Sequence, residues 1–328
     1  MTQTNVPPTV RPGDGEATRS ARGPGIAARF DAYGQLTNVT LHEMPEPVPG
    51  PGQVRIAAYA AGLNPIDWKI VRGLVREMHP VELPAGLGGD VSGVIDAVGE
   101  GVSGFEVGEE VFGRSASPAF ATSVLANAAS LLKKPPEWSW EQAAALPGVG
   151  GAAWLVVDKL ALQPGETVLI HAAAGGVGVI ATQIARARGA NVIGTASEAN
   201  FDLLRRLGAQ PVLYGEHLRE QIEAVSPHRV DAVLDLSGRG EIPLSLDLVA
   251  DAARIVTTKA FDQAATGIQI HLDGCGSDAA PLASLLGLLA PGWIQVPIWR
   301  TYSLSNVTAA LEASMNGHLG GKIGSSIP

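Results

Sequence analysis

The run VLIHAAAGGVGVIATQIARARGANVIGT, residues 168–195, decides how the rest of the chain is read. A short apolar strand ends near Ile170 and the chain passes through Ala172-Ala-Ala-Gly175-Gly176-Val177-Gly178. It then opens at once into an apolar helix, followed by a second apolar strand. In the helical part Val177, Ile180, Ala181, Ile184 and Ala185 recur at helical spacing, with Thr182, Gln183, Arg186 and Arg188 on the other side. A helix that starts straight out of a glycine turn leaves its first backbone N–H groups without intrahelical acceptors. They converge on one spot, with the positive end of the helix dipole behind them. A diphosphate fits such a spot.

Working outward, strand candidates at 167–171, 191–195, 211–214, 231–236, 253–258 and 268–272 alternate with helical stretches. Parallel strands need crossover helices, so this rhythm implies a doubly wound parallel sheet whose ligand sits at the carboxyl ends of the strands. Residues 26–145 read differently. Short β runs at 36–41, 54–60, 91–98 and 109–112 are separated by Pro and Gly clusters, with helix limited to 67–72 and 139–145. That spacing suggests a small barrel. Beyond 275 a helix at 280–290, a strand at 293–298 and a helix at 306–316 leave the βα rhythm and are expected to return to the barrel. The expectation is an α/β protein: residues 148–274 form the nucleotide-binding domain, 26–147 with 275–328 a second domain, and 1–25 a flexible tail.

The chain has 328 residues, 46% apolar and 17% charged, which is a globular composition. A net charge of −9 argues against binding nucleic acid or an anionic membrane surface. Cys275 is the single cysteine, too few for a multi-cysteine metal site, so no metal is expected. Residues 1–25 hold no apolar core for a signal peptide. The uncharged run 279–299 is long enough to span a bilayer, but Pro281, Pro291 and Pro297 break it. A cytoplasmic protein without a membrane span is expected.

The turn Ala172-x-x-Gly175-x-x-Gly178 follows a strand and opens a helix, which is the context a dinucleotide fingerprint requires. Gly175 and Gly176 would let backbone approach the pyrophosphate, and Gly178 would let helix and sheet pack closely. The alternative is a turn that merely needs positive φ. The second strand ends in Gly194-Thr-Ala-Ser197, with no acid before Glu198. A carboxylate there would accept from ribose hydroxyls, whereas a hydroxyl tolerates a 2′-phosphate, so NADPH is favoured over NADH with Ser197 as its contact. Ser197 is also a candidate N-cap. Tyr214, ending the third strand, either lines the adenosine side or serves as an ordinary core or surface tyrosine.

Further motifs run through most of the chain. They include Ala60-Ala-Gly-Leu-Asn-Pro-Ile-Asp-Trp-Lys69, Gly89-Asp-Val-Ser-Gly-Val, Val107-Gly-x-x-Val-Phe-Gly113, Ala143-Ala-Ala-Leu-Pro147, Asp231-x-Val-Leu-Asp and Gly317-His-x-x-Gly-Lys322. With the Ala172–Gly178 turn they resemble the zinc-independent quinone oxidoreductase (zeta-crystallin-like) and enoyl reductase branch of the medium-chain dehydrogenase/reductase superfamily. The resemblance implies a GroES-like catalytic domain split around a Rossmann domain, a homodimer, and NADPH in the cleft between domains. It implies reduction of a quinone or of the C=C bond of an α,β-unsaturated carbonyl, on a small hydrophobic substrate. It also places Asn64, Asp67 and Lys69 on the substrate side as catalytic candidates, with Ser237 and Lys322 joining Ala172, Gly175, Gly176, Val177, Gly178, Ser197 and Tyr214 around the cofactor.

Asn64 would donate to a carbonyl and Lys69 would stabilise a developing enolate, unless Asp67 and Lys69 simply form a surface ion pair. Three segments depart from the family pattern: Ala152 replaces a threonine, Pro118-Ala-Phe120-Ala-Thr-Ser123 lacks two tyrosines, and Asp251-Ala-Ala-Arg254 replaces a Pro-Gly-Gly-Arg turn. Ala152 and the lost tyrosines motivate an alternative to the reductase, a scaffold repurposed for a non-redox cyclisation or rearrangement of a hydrophobic metabolite. A third reading is a non-enzymatic nucleotide-sensing or nucleic-acid-binding member, with the net charge of −9 against its nucleic-acid form.

Overall fold

The computed structural model describes residues 25–226, 230–271, 274–276, 278–317 and 319–328. The tail expected over 1–25 therefore lies, apart from Gly25, outside the described residues. The first module contains β1 (Gly25–Phe30), β2 (Val39–Met44), β3 (Gln53–Leu63), α1 (Pro65–Val71), β4 (Ala85–Gly86), β5 (Asp90–Val98), β6 (Glu110–Arg114), β7 (Ser123–Asn127) and β8 (Leu131–Lys133). α2 (Trp140–Ala145) and α3 (Pro147–Lys159) lead into β9 (Thr167–His171), α4 (Gly176–Ala187), β10 (Asn191–Ala196), α5 (Phe201–Arg206), β11 (Ala209–Leu213) and α6 (Leu218–Val225). β12 (Ala232–Asp235), α7 (Ile242–Leu248), β13 (Ile255–Thr257) and β14 (Gln269–Ile270) complete the second module. The chain ends with α8 (Ala280–Leu288), β15 (Ile298–Ser303), α9 (Val307–Asn316) and β16 (Lys322–Ser326).

β9 to β14 form an all-parallel sheet in the order β11-β10-β9-β12-β13-β14. The chain thus winds outward on one side of β9 and then on the other, and the order reverses between β9 and β12. Loops leaving the carboxyl ends of those two strands flank the crevice that such a reversal opens. In the first module the long β3 pairs antiparallel with β5, β7 and β16, and β15 joins β16 in parallel at the sheet's edge. The last strand of the chain is therefore a neighbour of the strand that ends at Leu63.

Two differences from the sequence-based expectation concern helices and the return path. α3 is a buried helix of 13 residues that the pattern did not announce, because Gly148, Gly150 and Gly151 are poor helix formers. Packing explains them. A Cβ on Gly151 would stand 2.5 Å from the Cys275 carbonyl oxygen, and one on Gly148 would stand 2.7 Å from Asp90 Oδ2. α8 packs on α3 and α4 through Leu282 and Leu285, so the chain rejoins the first module's sheet only at β15, rather than from about 275. The strand expected at 293–298 is irregular up to Pro297.

β3 and α2 meet with no room to spare at Gly62, where an added Cβ would collide with the Ala144 carbonyl oxygen and stand 3.1 Å from Asp90 Cβ. Backbone cannot rotate away as a side chain does. Gly62→Ala should therefore cost about 2–3 kcal/mol and lower the melting temperature by roughly 5–10 °C. A variant that melts with the wild type would show that this contact does not constrain the fold.

Candidate active site

β9 ends at His171, and the next residue, Ala172, adopts a left-handed backbone with φ 56°. The turn is pinned to the end of β10: Ala172 N donates to Thr195 Oγ1 at 3.0 Å and Ala173 N to Thr195 O at 3.0 Å. Gly175 is the N-cap of α4 with φ −73°, and neither it, Gly176 nor Gly178 has positive φ. The glycines are therefore not there to satisfy a turn, and the strained residue is the alanine. A Cβ on Gly178 would stand 2.5 Å from Ala172 O, which accounts for that glycine by helix–sheet packing. A Cβ on Gly176 would stand 2.9 Å from Lys322 Cδ and 3.1 Å from Val149 Cγ1. A Cβ on Gly175 would approach only Ala172 O, at 3.3 Å. φ does not explain Gly175, and packing does so only through the tight approach to Ala172 O; beyond that contact nothing would crowd a Cβ there, beside half-buried Val177, at the start of α4. A pyrophosphate fits that cradle.

Around the cradle the expected contacts are arranged as follows. Ser197 occupies an N-cap position without capping through its side chain, and its oxygen accepts from Asn200 Nδ2 at 3.2 Å. Tyr214 is half-buried, with the Arg239 guanidinium carbon 5.3 Å from its ring centre. Ser237 is held inside its own loop: its hydroxyl lies 3.0 Å from Asp235 Oδ1 and 2.6 Å from Glu241 Oε2, and accepts from Arg239 N. Beneath the loop, buried His171 places Nε2 3.1 Å from Ser245 Oγ. Burial pushes the imidazole's pKa down, against the fields of Glu241 and Asp235, so the ring is neutral.

Where the two modules meet, five polar side chains form one knot, buried at Lys322, Asp90 and Asp67 and half-buried at Asn64 and Arg114. Lys322 Nζ donates to Leu63 O at 2.7 Å and to Asn64 Oδ1 at 2.6 Å. Asn64 Nδ2 donates to Asp90 Oδ2 at 2.7 Å, and Arg114 Nη1 to Asp90 Oδ1 at 2.6 Å. Asp67 Oδ2 accepts from Asn64 N at 2.7 Å, closing a capping box on α1. Burial holds the Lys322 pKa below the usual lysine range, while Asp90 and Asp67 pull it up. Burial also raises Asp67 to about 7, against the pull of the Asn64 N–H, and the nearby Asp90 charge adds to the rise. Asp90 keeps the Arg114 guanidinium firmly charged.

The knot corrects two assignments. Asp67 is only 3% exposed and faces α1's own N-terminus, so it positions Asn64 rather than touching a substrate. Lys322 turns its ammonium into the first module, and only its aliphatic stem lies under the cradle, against Gly176. Asn64 has one Nδ2 hydrogen committed to Asp90, and the other has no acceptor among the described residues. Lys69 makes no ion pair with Asp67; its Nζ lies 5.6 Å from the Trp68 ring centre. Lys69 also repels Lys259, beyond the end of β13. Lys259 is exposed as a residue, yet its pKa is pushed down by desolvation and then by Lys69, with Asp235 opposing. A lysine of the first module and one of the second thus lie near enough for their charges to interact.

Residues 50–161 match the family pattern described as Alcohol dehydrogenase GroES-like domain, and residues 176–274 that of Zinc-binding dehydrogenase. The quinone oxidoreductase from Coxiella burnetii superposes with a TM-score of 0.83 at 30% identity, over 93% of this chain and 100% of its own. The chain belongs to the quinone oxidoreductase branch of the medium-chain dehydrogenase/reductase superfamily. It is thus a member of a family of oxidoreductases, with the GroES-like and Rossmann architecture. Escherichia coli quinone oxidoreductase complexed with NADPH superposes with a TM-score of 0.81 at 26% identity, over 92% of this chain and 99% of its own. Spectinabilin polyketide synthase system protein NorB of Streptomyces orinoci is 34% identical over 90% of this chain, which spans only 14% of NorB's length. It spans 4% and 6% of two further Streptomyces polyketide synthases.

For a medium-chain reductase, two features of the site were not evident from sequence. Asp90 lies in a motif noticed for its family resemblance and Arg114 directly follows another, but neither was singled out as a site residue. Arg239 and Lys259 gain their roles only from loops that the sheet brings together. Among the described residues no group of three or more His, Cys, Asp or Glu is placed to hold a metal. Phe120 is fully buried, so the segment that lacks two tyrosines contributes apolar core. A cavity of about 210 Å³ bounded by Ile26, Arg29, Met44 and Pro118 shares no residue with the cradle or the knot.

Asp67 ionises near 3.8 when free but near 7 in the fold. The folded state therefore holds the extra proton between those values, and the stability it confers, complete below about pH 4, is lost as pH rises through 7. Asp67→Asn removes that loss. Its stability relative to wild type should rise across this window, by a total on the order of 4 kcal/mol, and level off above it. Parallel stability-against-pH curves from urea unfolding would contradict the burial of this carboxyl.

Proposed function

We propose that the chain is an NADPH-dependent, zinc-independent reductase that delivers hydride to a quinone or to the C=C bond of an α,β-unsaturated carbonyl. The observation that carries this reading is the turn from β9 into α4, where Gly175 caps the helix without positive φ, meets only Ala172 O, and leaves the helix's first N–H groups open to a pyrophosphate. Named relatives that are quinone oxidoreductases, one of them complexed with NADPH, support it. So does the end of β10, where Ser197 stands in place of a ribose-binding carboxylate. No helix among the described residues is long and apolar enough to cross a membrane, and we read the protein as a cytoplasmic homodimer.

The bound nicotinamide would supply the hydride. The chain's own residues have separate tasks. Residues Ala172–Gly178 hold the diphosphate on backbone N–H groups, and Ser197 and Tyr214 face the adenosine end. Lys322 and Asp90 fix the Asn64 amide, so that its second Nδ2 hydrogen can meet the substrate oxygen without reorganising. Lys69 would stabilise negative charge developing on that oxygen, and an anionic oxygen near it would relieve its repulsion with Lys259. Proximity and water exclusion in the cleft account for the rest of the rate.

Following NADPH absorbance with a panel of quinones and enones tests the reading. Turnover with at least one class is expected; saturable NADPH binding without oxidation by any acceptor would favour a non-redox scaffold. On an accepted substrate, Lys69→Met should lower kcat about a hundredfold or more, the typical loss for one oxyanion donor, with NADPH affinity unchanged. Near-wild-type kcat in a folded variant would remove Lys69 from the chemistry.

A further inference from the structure

We propose that Arg239 reads the 2′-phosphate of the cofactor, reaching across the sheet's carboxyl edge to supply the cation that the end of β10 lacks. This rests on the NADPH reading above and adds the group that would discriminate NADPH from NADH. Ser197 offers one hydroxyl, already accepting from Asn200, and the next residue is the exposed acid Glu198. Of the two arginines on the following helix, Arg205 is paired with Asp202 at 2.9 Å, and exposed Arg206 is the last residue of α5, at the end of the helix away from Ser197. A phosphate dianion at this place calls for a further cation.

The topology brings one there. Tyr214 follows β11, Arg239 follows β12, and β10 and β9 lie between them. Three strand spacings separate the two loops at sheet level, about 14 Å, yet the guanidinium carbon stands 5.3 Å from the Tyr214 ring centre. The contact therefore arches over the carboxyl ends of β9 and β10, that is, over the cradle and Ser197. It also starts from β12, one of the two strands that flank the reversal point of the sheet.

The base of the arch is rigid. Asp235 Oδ1 accepts from Ser237 N at 3.0 Å and Gly238 N at 3.2 Å, and Arg239 N donates to Ser237 Oγ at 3.1 Å and Glu241 Oε2 at 3.0 Å. Gly238 turns with φ 64°, and a Cβ on it would stand 2.6 Å from Lys259 Cβ. The backbone is thus fixed while the guanidinium is exposed and, among the described residues, has no carboxylate partner. The Tyr214 ring, 5.3 Å from the guanidinium carbon, is a cation–π neighbour that takes up none of the N–H donors of Arg239, which leaves them for phosphate oxygens in the bidentate geometry that arginine favours.

Equilibrium titrations of the full chain with NADPH and with NADH, by nucleotide fluorescence, test the proposal. In Arg239→Gln the Kd for NADPH should rise at least about tenfold, the loss of one charge-assisted phosphate contact, while the Kd for NADH stays within about twofold. Arg239→Lys should recover part of the NADPH affinity and the NADPH-over-NADH preference. A cover that merely closes the adenosine site would weaken both nucleotides alike, and that result overturns the proposal, as does an unchanged NADPH Kd. Wild-type protein that binds neither nucleotide would overturn the cofactor reading itself, and the role of Arg239 with it. Melting curves of each variant confirm that the fold is intact.

Discussion

The Lys322 ammonium sits where water does not reach it, and the junction of the two modules is arranged around that charge. A buried cation is tolerated only if hydrogen bonds and opposite charge replace its hydration. Leu63 O and Asn64 Oδ1 supply the hydrogen bonds, and Asp90 and Asp67 supply the field. Each of these groups is then fixed by what it must do for the lysine. The Asn64 amide has one possible orientation, Asp90 is shared with Arg114, and the N-terminus of α1 is closed by Asp67. Such a knot contributes little net stability against an apolar core, but it sets one geometry and excludes others.

The same lysine sets the register of the cradle. Its stem lies under Gly176, so the first residue of α4 rests on the last strand of the chain. The glycine turn and the Asn64 amide are therefore positioned by opposite ends of a single side chain. The pairing of Lys322 with Asn64 spans 258 residues, which is why it was hidden in the sequence. The motif that contains Lys322 was visible, and its charge was assigned to the cofactor. Only the antiparallel pairing of β16 with β3 shows that the charge points the other way.

The parts of the fold that sequence disclosed were those written in local patterns. The glycine turn, the alternation of strands and helices after residue 167, and the short helices near 67–72 and 139–145, which the structure shows to be closed by capping boxes, each depend on neighbours a few residues apart. α3 was missed because its glycines are chosen for contact with Asp90 and Cys275 from distant segments, against local propensity. β1 was missed because it borders the tail, and its pairing partners β2 and β4 come later in the chain. At the site, Asn64 was legible through its motif, whereas Lys259 and Arg239 acquire meaning only at the carboxyl edge of a folded sheet. The glycine turn was located correctly, although its strained residue proved to be Ala172 and its least crowded glycine Gly175.

That last residue carries the account. If Gly175 is bare because a diphosphate must reach its backbone, a branched side chain there should close the site while the fold survives, since an added Cβ meets one atom, Ala172 O at 3.3 Å, which need give by only a few tenths of an ångström. The most direct measurement is an equilibrium titration of wild-type and Gly175→Val protein with NADPH, beside a melting curve of each. The account predicts saturable binding by the wild type, a variant that melts within a few degrees of it, and no detectable NADPH binding by that variant. Equal affinity in the two folded proteins would contradict it.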